Sequence, residues 1–299
     1  MAEIAASASP AVLSRAPASR RALPPETFWG IVLLIPYGVV FLFFVIYPVA
    51  YGFYLGSNPE SYVKLWSDPI YFRTIFNTLV FLLVGVNLKM ALALFLSGFF
   101  VHPQRWIRWL SIIFILPWAI PSIPTILSFR WMLNSEWGMI NTLLFDWFGV
   151  FPGPGWLLRP DLGMGAVIAI HIWKYLPFWT LTLLAARLAI SKDLYEAAEV
   201  DGASGTQRFR YVTWPGVRNM YLVCTLLSTI WSLGDFNSVY LLTGGGPLDR
   251  THVLATLAIR YAYKMGFLDT GVAALITALP LVIPLVVYMF RRLGKGASS

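Results

Sequence analysis

Residues Ser191 to Val217 read SKDLYEAAEVDGASGTQRFRYVTWPGV, a polar stretch between two apolar runs. It gathers four acids (Asp193, Glu196, Glu199, Asp201), the closely spaced glycines Gly202 and Gly205, and then Arg208 and Arg210. Asp193 and Glu196 have the spacing of a capping box, in which the first side chain accepts a backbone N–H and the second reaches back to the cap. Ala197 and Ala198 are strong helix formers, and Gly202 can end the helix in the left-handed conformation. Ser204 and Gln207 have the spacing of a second box. Phe209, Val212 and Trp214 are expected to bury against the apolar helices, and Pro215 to break the chain before the next one. Most connections need only two to six residues. A helix, a glycine turn and a second helix are more than a simple link requires, and their polar face is suited to docking a partner.

The flanking composition decides where such a hairpin sits. The chain of 299 residues is 58% hydrophobic and 12% charged, with a mean hydropathy of +0.69. Soluble domains carry about 25% charged residues, so this chain cannot cover a water-facing surface and reads as a multi-span membrane protein. The net charge of +8 belongs to membrane orientation rather than nucleic acid, because no basic patch is interleaved with aromatics. Cys224 is alone in an apolar run, and His102, His171 and His252 are scattered, so neither a disulfide nor a metal site is indicated.

Six spans of roughly 20–25 residues fit the pattern. They cover about 28–55, 72–101, 106–133, 164–189, 220–242 and 270–290. Residues 1–27, rich in Ala, Ser and Pro, read as a disordered tail rather than a cleavable signal. Pro36 and Pro48 are expected to kink the first span, and Pro117, Pro121 and Pro124 to break the third. Residues 57–71, 134–163 and 249–267 read as outer segments, the last lying on the surface and partly helical. Trp137, Trp147 and Trp156 suit an interfacial belt. Thirteen Lys and Arg fall in the tail, the 102–108 turn, the 187–218 stretch and the C-terminus, against six in the opposite loops. Both termini and the hairpin are therefore expected in the cytosol.

Two motifs resemble one family. Glu196-Ala197-Ala198-x-x-Asp201-Gly202-Ala203, followed by Phe209, Val212 and Pro215, resembles the "EAA" signature of binding-protein-dependent ABC importer permeases. Leu241-Leu242-Thr243-Gly244-Gly245-Gly246-Pro247 resembles the LTxGGP periplasmic-loop segment of the sugar-permease branch, with its maltose- and glycerol-3-phosphate-type members. Order and separation match, and the six-span layout covers nearly the whole chain. Trp214 replaces the usual Leu before the proline, and Asn219 stands where a second proline is frequent; both concern how the hairpin leaves the membrane.

The resemblance implies an all-α, type I ABC importer transmembrane domain over 28–293, with the coupling-helix hairpin at 191–217 and a short tail at 294–299. It implies a permease without enzymatic activity in the bacterial cytoplasmic membrane, paired with a second homologous permease. A cytoplasmic ATPase dimer would dock on Glu196, Ala197, Ala198, Asp201, Gly202 and Ala203, and an extracytoplasmic binding protein would deliver sugar: an oligosaccharide, a disaccharide, or a related polyol or glycerol phosphate. ATP closes the ATPase pair and the hairpin transmits that motion as alternating access. No G-x-x-x-x-G-K-[ST] occurs, and GGGPLDRT lacks the Lys, so no cofactor is expected in this chain; ATP and Mg belong to the partner ATPase.

Polar groups inside spans mark pathways. Asn87, Lys89, His171, Lys174, Ser232, Asp235, Asn237 and Ser238 are candidates. Trp231, Asp235, Asn237, Ser238 and Tyr240 offer sugars hydrogen bonds and aromatic faces. The other reading of Asp235 is an ion pair with Lys174 or Lys89, and of His171 a helix–helix hydrogen bond. A stand-alone secondary transporter using Lys89, Lys174 and Asp235 as an ion relay remains open, though no internal repeat is evident. A membrane enzyme would need clustered acid, base or nucleophile, and none is found.

Overall fold

The computed structural model describes residues 25–296. Residues 1–24 of the expected N-terminal tail and 297–299 of the C-terminal one lie outside the described residues. Among the described residues all regular elements are helical, as expected for an all-α membrane protein. Packing divides the chain into two units, residues 1–51 and 52–299.

Helix α1 carries the apolar stretch Trp29–Leu55, none of which is buried within the chain. Neither Pro36 nor Pro48 breaks it. Ahead of Pro48 the helix widens into a π turn, Leu42–Ile46, closed by Tyr47 N–H on Leu42 C=O. A wider turn relieves the clash and the lost hydrogen bond that proline brings to a regular helix.

In the second unit, Asn58 caps α2 (Pro59–Ser67) by accepting from the Glu60 N–H, and Asp68 caps α3 (Pro69–Phe100) by accepting from the Ile70 N–H. Pro sits at the first turn of both, where its missing N–H costs nothing. Residues 57–71, expected as a loop, are therefore mostly helix. The Arg105–Ala119 helix α4 and the Ser122–Met132 helix α5 meet at a 93° bend. Ile120 is extended, as the residue before a proline tends to be, and Pro121 follows it. The expected outer loop 134–163 contains α6 (Met139–Phe148). Helix α7 (Pro160–Leu188) is the central element, packed along α3 and against the later helices.

The hairpin follows: α8 (Lys192–Val200), then α9 over residues 205–233. Pro215 does not break α9. A π turn at Phe209–Thr213 precedes it, closed by Trp214 N–H on Phe209 C=O, the same accommodation as at Pro48. The break comes at Gly234 and Asp235, before α10 (Phe236–Leu242). Helix α11 (residues 254–264), α12 (Leu268–Ile276) and α13 (Leu279–Gly296) complete the chain.

α1, α3 and α7 are long and apolar enough to cross a membrane, and α4 with α5 gives a fourth if the bent pair is one span. The fifth and sixth expected spans occupy helical stretches that are interrupted, at Gly234 and at Thr277–Ala278. Residues 249–267 are partly helical as expected but lie only in part at the surface: Thr251, His252, Leu254, Leu257 and Tyr261 are buried, while Arg250 and residues 263–267 are exposed. Leu254, Leu257 and Tyr261 pack with Leu65, Tyr71 and Ala273 in one of three apolar clusters. The others join α3, α5, α7 and α10 around Phe81, Ile126 and Val167, and α3, α7 and α9 around Met90, Trp179 and Leu183.

Lys174, in the middle of α7, explains how the α4–α5 break survives. Its ammonium donates to the carbonyls of Pro117 (2.8 Å), Trp118 (3.2 Å) and Ile120, the groups left unpaired where α4 ends. The alternative pairing of Asp235 with Lys174 is not made. Replacing Lys174 by Met keeps the length and removes the donors; unfolding in mixed micelles should show a loss of about 2 kcal/mol, and an unchanged stability would remove the capping role.

Candidate functional site

Three polar constructions stand out, and each is built from local chemistry. The first is the hairpin. Ser191, not Asp193, caps α8: its side chain accepts from the Asp193 N–H. The next turn is as expected. Gly202 has φ +71°, its N–H bonds Glu199 C=O (3.0 Å), and Ala203 N–H bonds Ala198 C=O (2.9 Å), the paired bonds of a Schellman ending. The Ser204–Gln207 capping box is complete in both directions. Arg208 reaches Glu199 at 3.7 Å across the turn, and Tyr195 bonds the Thr213 hydroxyl at 3.0 Å.

Phe209 and Trp214 remain over a third exposed; Thr213 and Val217 take the buried positions instead, because the π turn rotates the register. Glu196, Ala197, Asp201 and Gly202 are exposed, and Ala198 and Ala203 are half-buried. Two apolar residues that the sequence reading passed over are bare on this polar knuckle: Leu194 at 55% and Val200 at 88% exposure. Their signal was hydrophobicity inside an otherwise charged hairpin.

The second construction lies where α9 ends. Lys89 from α3, His171 from α7, Ser232 from α9 and Asp235 from the break are all buried. His171 Nδ1 lies 2.7 Å from Asp235 Oδ2, and its Nε2 lies 2.8 Å from Lys89 Nζ and 3.0 Å from Ser232 Oγ. An ammonium can only donate, and a carboxylate only accepts. The one consistent pattern has Lys89 donating to Nε2 and the protonated Nδ1 donating to Asp235. Asp235 also accepts from the Ser238 N–H (3.1 Å) and hydroxyl, which caps α10. Phe81 packs edge-on to His171 at 4.8 Å, and Tyr175, one turn along α7, packs on it at 4.9 Å.

A cavity of about 250 Å³ opens beside this chain of bonds, lined by Lys89, His171, Tyr175, Trp231, Asp235 and Asn237 among others. Of the expected pathway residues, Trp231, Asp235 and Asn237 reach the cavity. Ser238 turns back to Asp235, and Tyr240 stacks on Phe236 at 4.5 Å. Asn87 bonds its own helix at Leu83 C=O. Tyr175 was missed; its place four residues after His171 was the available clue. Among the described residues no group of His, Cys, Asp and Glu could hold a metal ion.

The third is the glycine turn. Gly244 and Gly245 have φ of +62° and +88°, and the His252 ring occupies the space a side chain at Gly245 would need. Thr251 donates to Gly246 C=O at 2.6 Å, while Asn77 from α3 donates to the carbonyls of Arg250 (2.8 Å) and His252 (3.0 Å). His252 meets Thr256 and Asp249, and Asp249 also pairs with Arg260 at 2.7 Å.

The comparisons with known proteins match this architecture. Residues 89–295 match the model of the binding-protein-dependent transport system inner membrane component. The chain belongs to that family. As a permease of this kind it is 34% identical over 287 residues to the trehalose/maltose transport system permease protein MalF of Thermococcus litoralis, covering 89% of this chain and 96% of that one. It is 32% identical to the sulfoquinovosyl glycerol transport system permease protein SmoG of Agrobacterium fabrum, over 83% and 87% of the two chains. Its fold is similar to a chain of the bacterial alginate ABC transporter crystallised with an alginate pentasaccharide-bound periplasmic protein: TM-score 0.80, 22% identity, 88% of this chain and 93% of that one.

His252 in the permease's glycine turn yields a pH dependence. Burial holds its pKa below the usual 6.5, against the opposing pull of Asp249. A lowered folded pKa means the stabilisation is complete above 6.5 and is lost as the pH falls through the folded value. Thermal stability should therefore decline on acidification from pH 7 to pH 5, and less steeply in His252→Gln; equal slopes would contradict the assignment.

Proposed function

We propose that this chain is the permease subunit of an ATP-driven importer that moves a saccharide inward by alternating access. The observation that carries the reading is the hairpin of residues 191–217. It is a compact, doubly capped knuckle with an acidic rim and two bare apolar side chains, Leu194 and Val200, joined directly to α7 and α9. A loop that only links two helices has no use for exposed apolar anchors, whereas a partner cleft does. The partner is a cytoplasmic ATPase dimer, which carries the ATP and Mg; Glu196, Ala197, Ala198, Asp201, Gly202 and Ala203 form the seat. The distribution of Lys and Arg supports placing the hairpin and both termini in the cytosol.

A second, homologous permease beside this one is inferred from the resemblance to paired importer permeases. An extracytoplasmic binding protein delivers the substrate at the opposite face, near Gly244, Gly245, Gly246 and Pro247. The saccharide assignment rests on the sugar permeases among the relatives, and on the cavity's mixture of Trp231 with Asp235 and Asn237. That mixture offers an aromatic face together with hydrogen-bonding groups.

The buried Lys89–His171–Asp235 chain also favours a second reading, an ion-coupled secondary transporter in which these groups relay protons. Uptake into liposomes by this chain alone, driven by a proton gradient, would support that reading and overturn the first.

The direct test is ATP-driven uptake by the assembled complex in proteoliposomes. Val200→Asp should weaken binding of the ATPase roughly 30-fold, and Glu196→Lys or Gly202→Pro should abolish uptake while the chain still inserts. Full transport by all three variants would remove the coupling role.

A further inference from the structure

A second cavity lies behind the hairpin, away from the one beside His171. About 1000 Å³ in volume, it lies between the end of α3, the end of α7 and the root of the hairpin. Its walls are apolar and aromatic: Leu94, Phe95 and Phe99 from α3, and Phe209, Trp214 and Tyr221 from α9. Arg187, Arg210 and His102 stand at it as well.

Arg187 is the unusual member. It is half-buried near the end of a span, and its guanidinium lies over Gly98, which has no side chain to displace it. One nitrogen donates to Leu94 C=O at 3.2 Å, and Nε is buried with no hydrogen-bond partner. Among the described residues neither Arg187 nor Arg210 has a carboxylate within ion-pair distance; Glu199 pairs with Arg208 instead, and Arg210 lies over the Tyr211 ring at 5.9 Å. A half-buried guanidinium with an unpaired Nε, beside the exposed guanidinium of Arg210 at the lip of an apolar groove, calls for an anion that brings its own hydrocarbon. A phosphate accepts from guanidinium in fork geometry, and an acyl chain fits the aromatic walls.

We propose that this groove is a binding site for an anionic phospholipid, phosphatidylglycerol in class, with the phosphate on Arg187 and Arg210 and a chain along Phe95 and Phe99. The leaflet, the cytoplasmic one, rests on the orientation proposed above. The lipid would touch Thr206, Phe209, Arg210 and Trp214, so it would brace the hairpin's second arm from behind. Its effect would be to make the motion of the seat depend on membrane composition.

The test uses the purified complete transporter in nanodiscs of phosphatidylcholine with 0% or about 30% phosphatidylglycerol, a content chosen to give a surface that attracts basic groups. Native mass spectrometry should find phosphatidylglycerol retained on the complex. In Arg187→Gln/Arg210→Gln its affinity should fall roughly 30-fold, while Arg187→Lys/Arg210→Lys should keep most of it. Leu94→Trp, which fills the groove and leaves the charges, should also expel the lipid. A photo-crosslinking side chain at Phe95 should label lipid. Unchanged phosphatidylglycerol binding in both the Gln and the Trp variants, or a crosslink from Phe95 to a protein chain, would overturn the site. Val200 labelling by a membrane-impermeant reagent in a Val200→Cys variant reports the orientation separately, so a wrong leaflet is distinguishable from an absent site.

Discussion

A lysine and an aspartate buried among apolar helices must satisfy each other or be expelled, and here a histidine stands between them. Lys89, His171 and Asp235 come from three different parts of the chain, with Ser232 closing the fourth side. Breaking a buried pair by removing one partner leaves an uncompensated charge and costs about 3–5 kcal/mol. The helices that carry these groups are thereby held in one register. The same carboxylate caps α10, so the site that neutralises Lys89 also fixes where α9 must stop. The cavity beside it exists because the chain breaks at Gly234 rather than continuing as one span.

The helix that ends at that break begins in the hairpin. Helix α9 starts at Gly205 in the hairpin's second arm and runs without interruption to Leu233, next to Asp235. At 1.5 Å per residue the 205–233 helix is roughly 43 Å long. The knuckle at one end and the cavity at the other are therefore joined by a single helix. The π turns ahead of Pro48 and Pro215 matter for this. Each lets a proline sit inside a long helix without severing it, so both helices keep their length.

Local chemistry was legible in the sequence and long-range partnership was not. Gly202 and the Ser204–Gln207 box could be read because a cap involves residues two to four positions apart. The choice of Ser191 over Asp193 as first cap was not readable, since both offer an oxygen at suitable spacing. Pro215 was misread because a proline rule assumes a regular turn before it, and the widening at Phe209–Thr213 has no sequence mark. Residues 249–267 read as surface, but the burial of His252 and Leu254 depends on Asn77 and Thr78, some 175 positions away. Asp235 and Asn237 were singled out as polar groups in an apolar run, but that Lys174 would cap α4 while Lys89 reached His171 depended on the fold. Leu194 and Val200 escaped notice because exposed apolar residues carry no motif.

A double-mutant cycle on the buried chain of bonds is the most direct measurement. Lys89→Met and Asp235→Asn are made singly and together, and unfolding is followed in mixed micelles. If these groups neutralise each other, each single variant loses about 3–5 kcal/mol and the double variant loses clearly less than the sum. Strictly additive losses would mean that Lys89 and Asp235 do not depend on each other, and that the helices are held in register by something else.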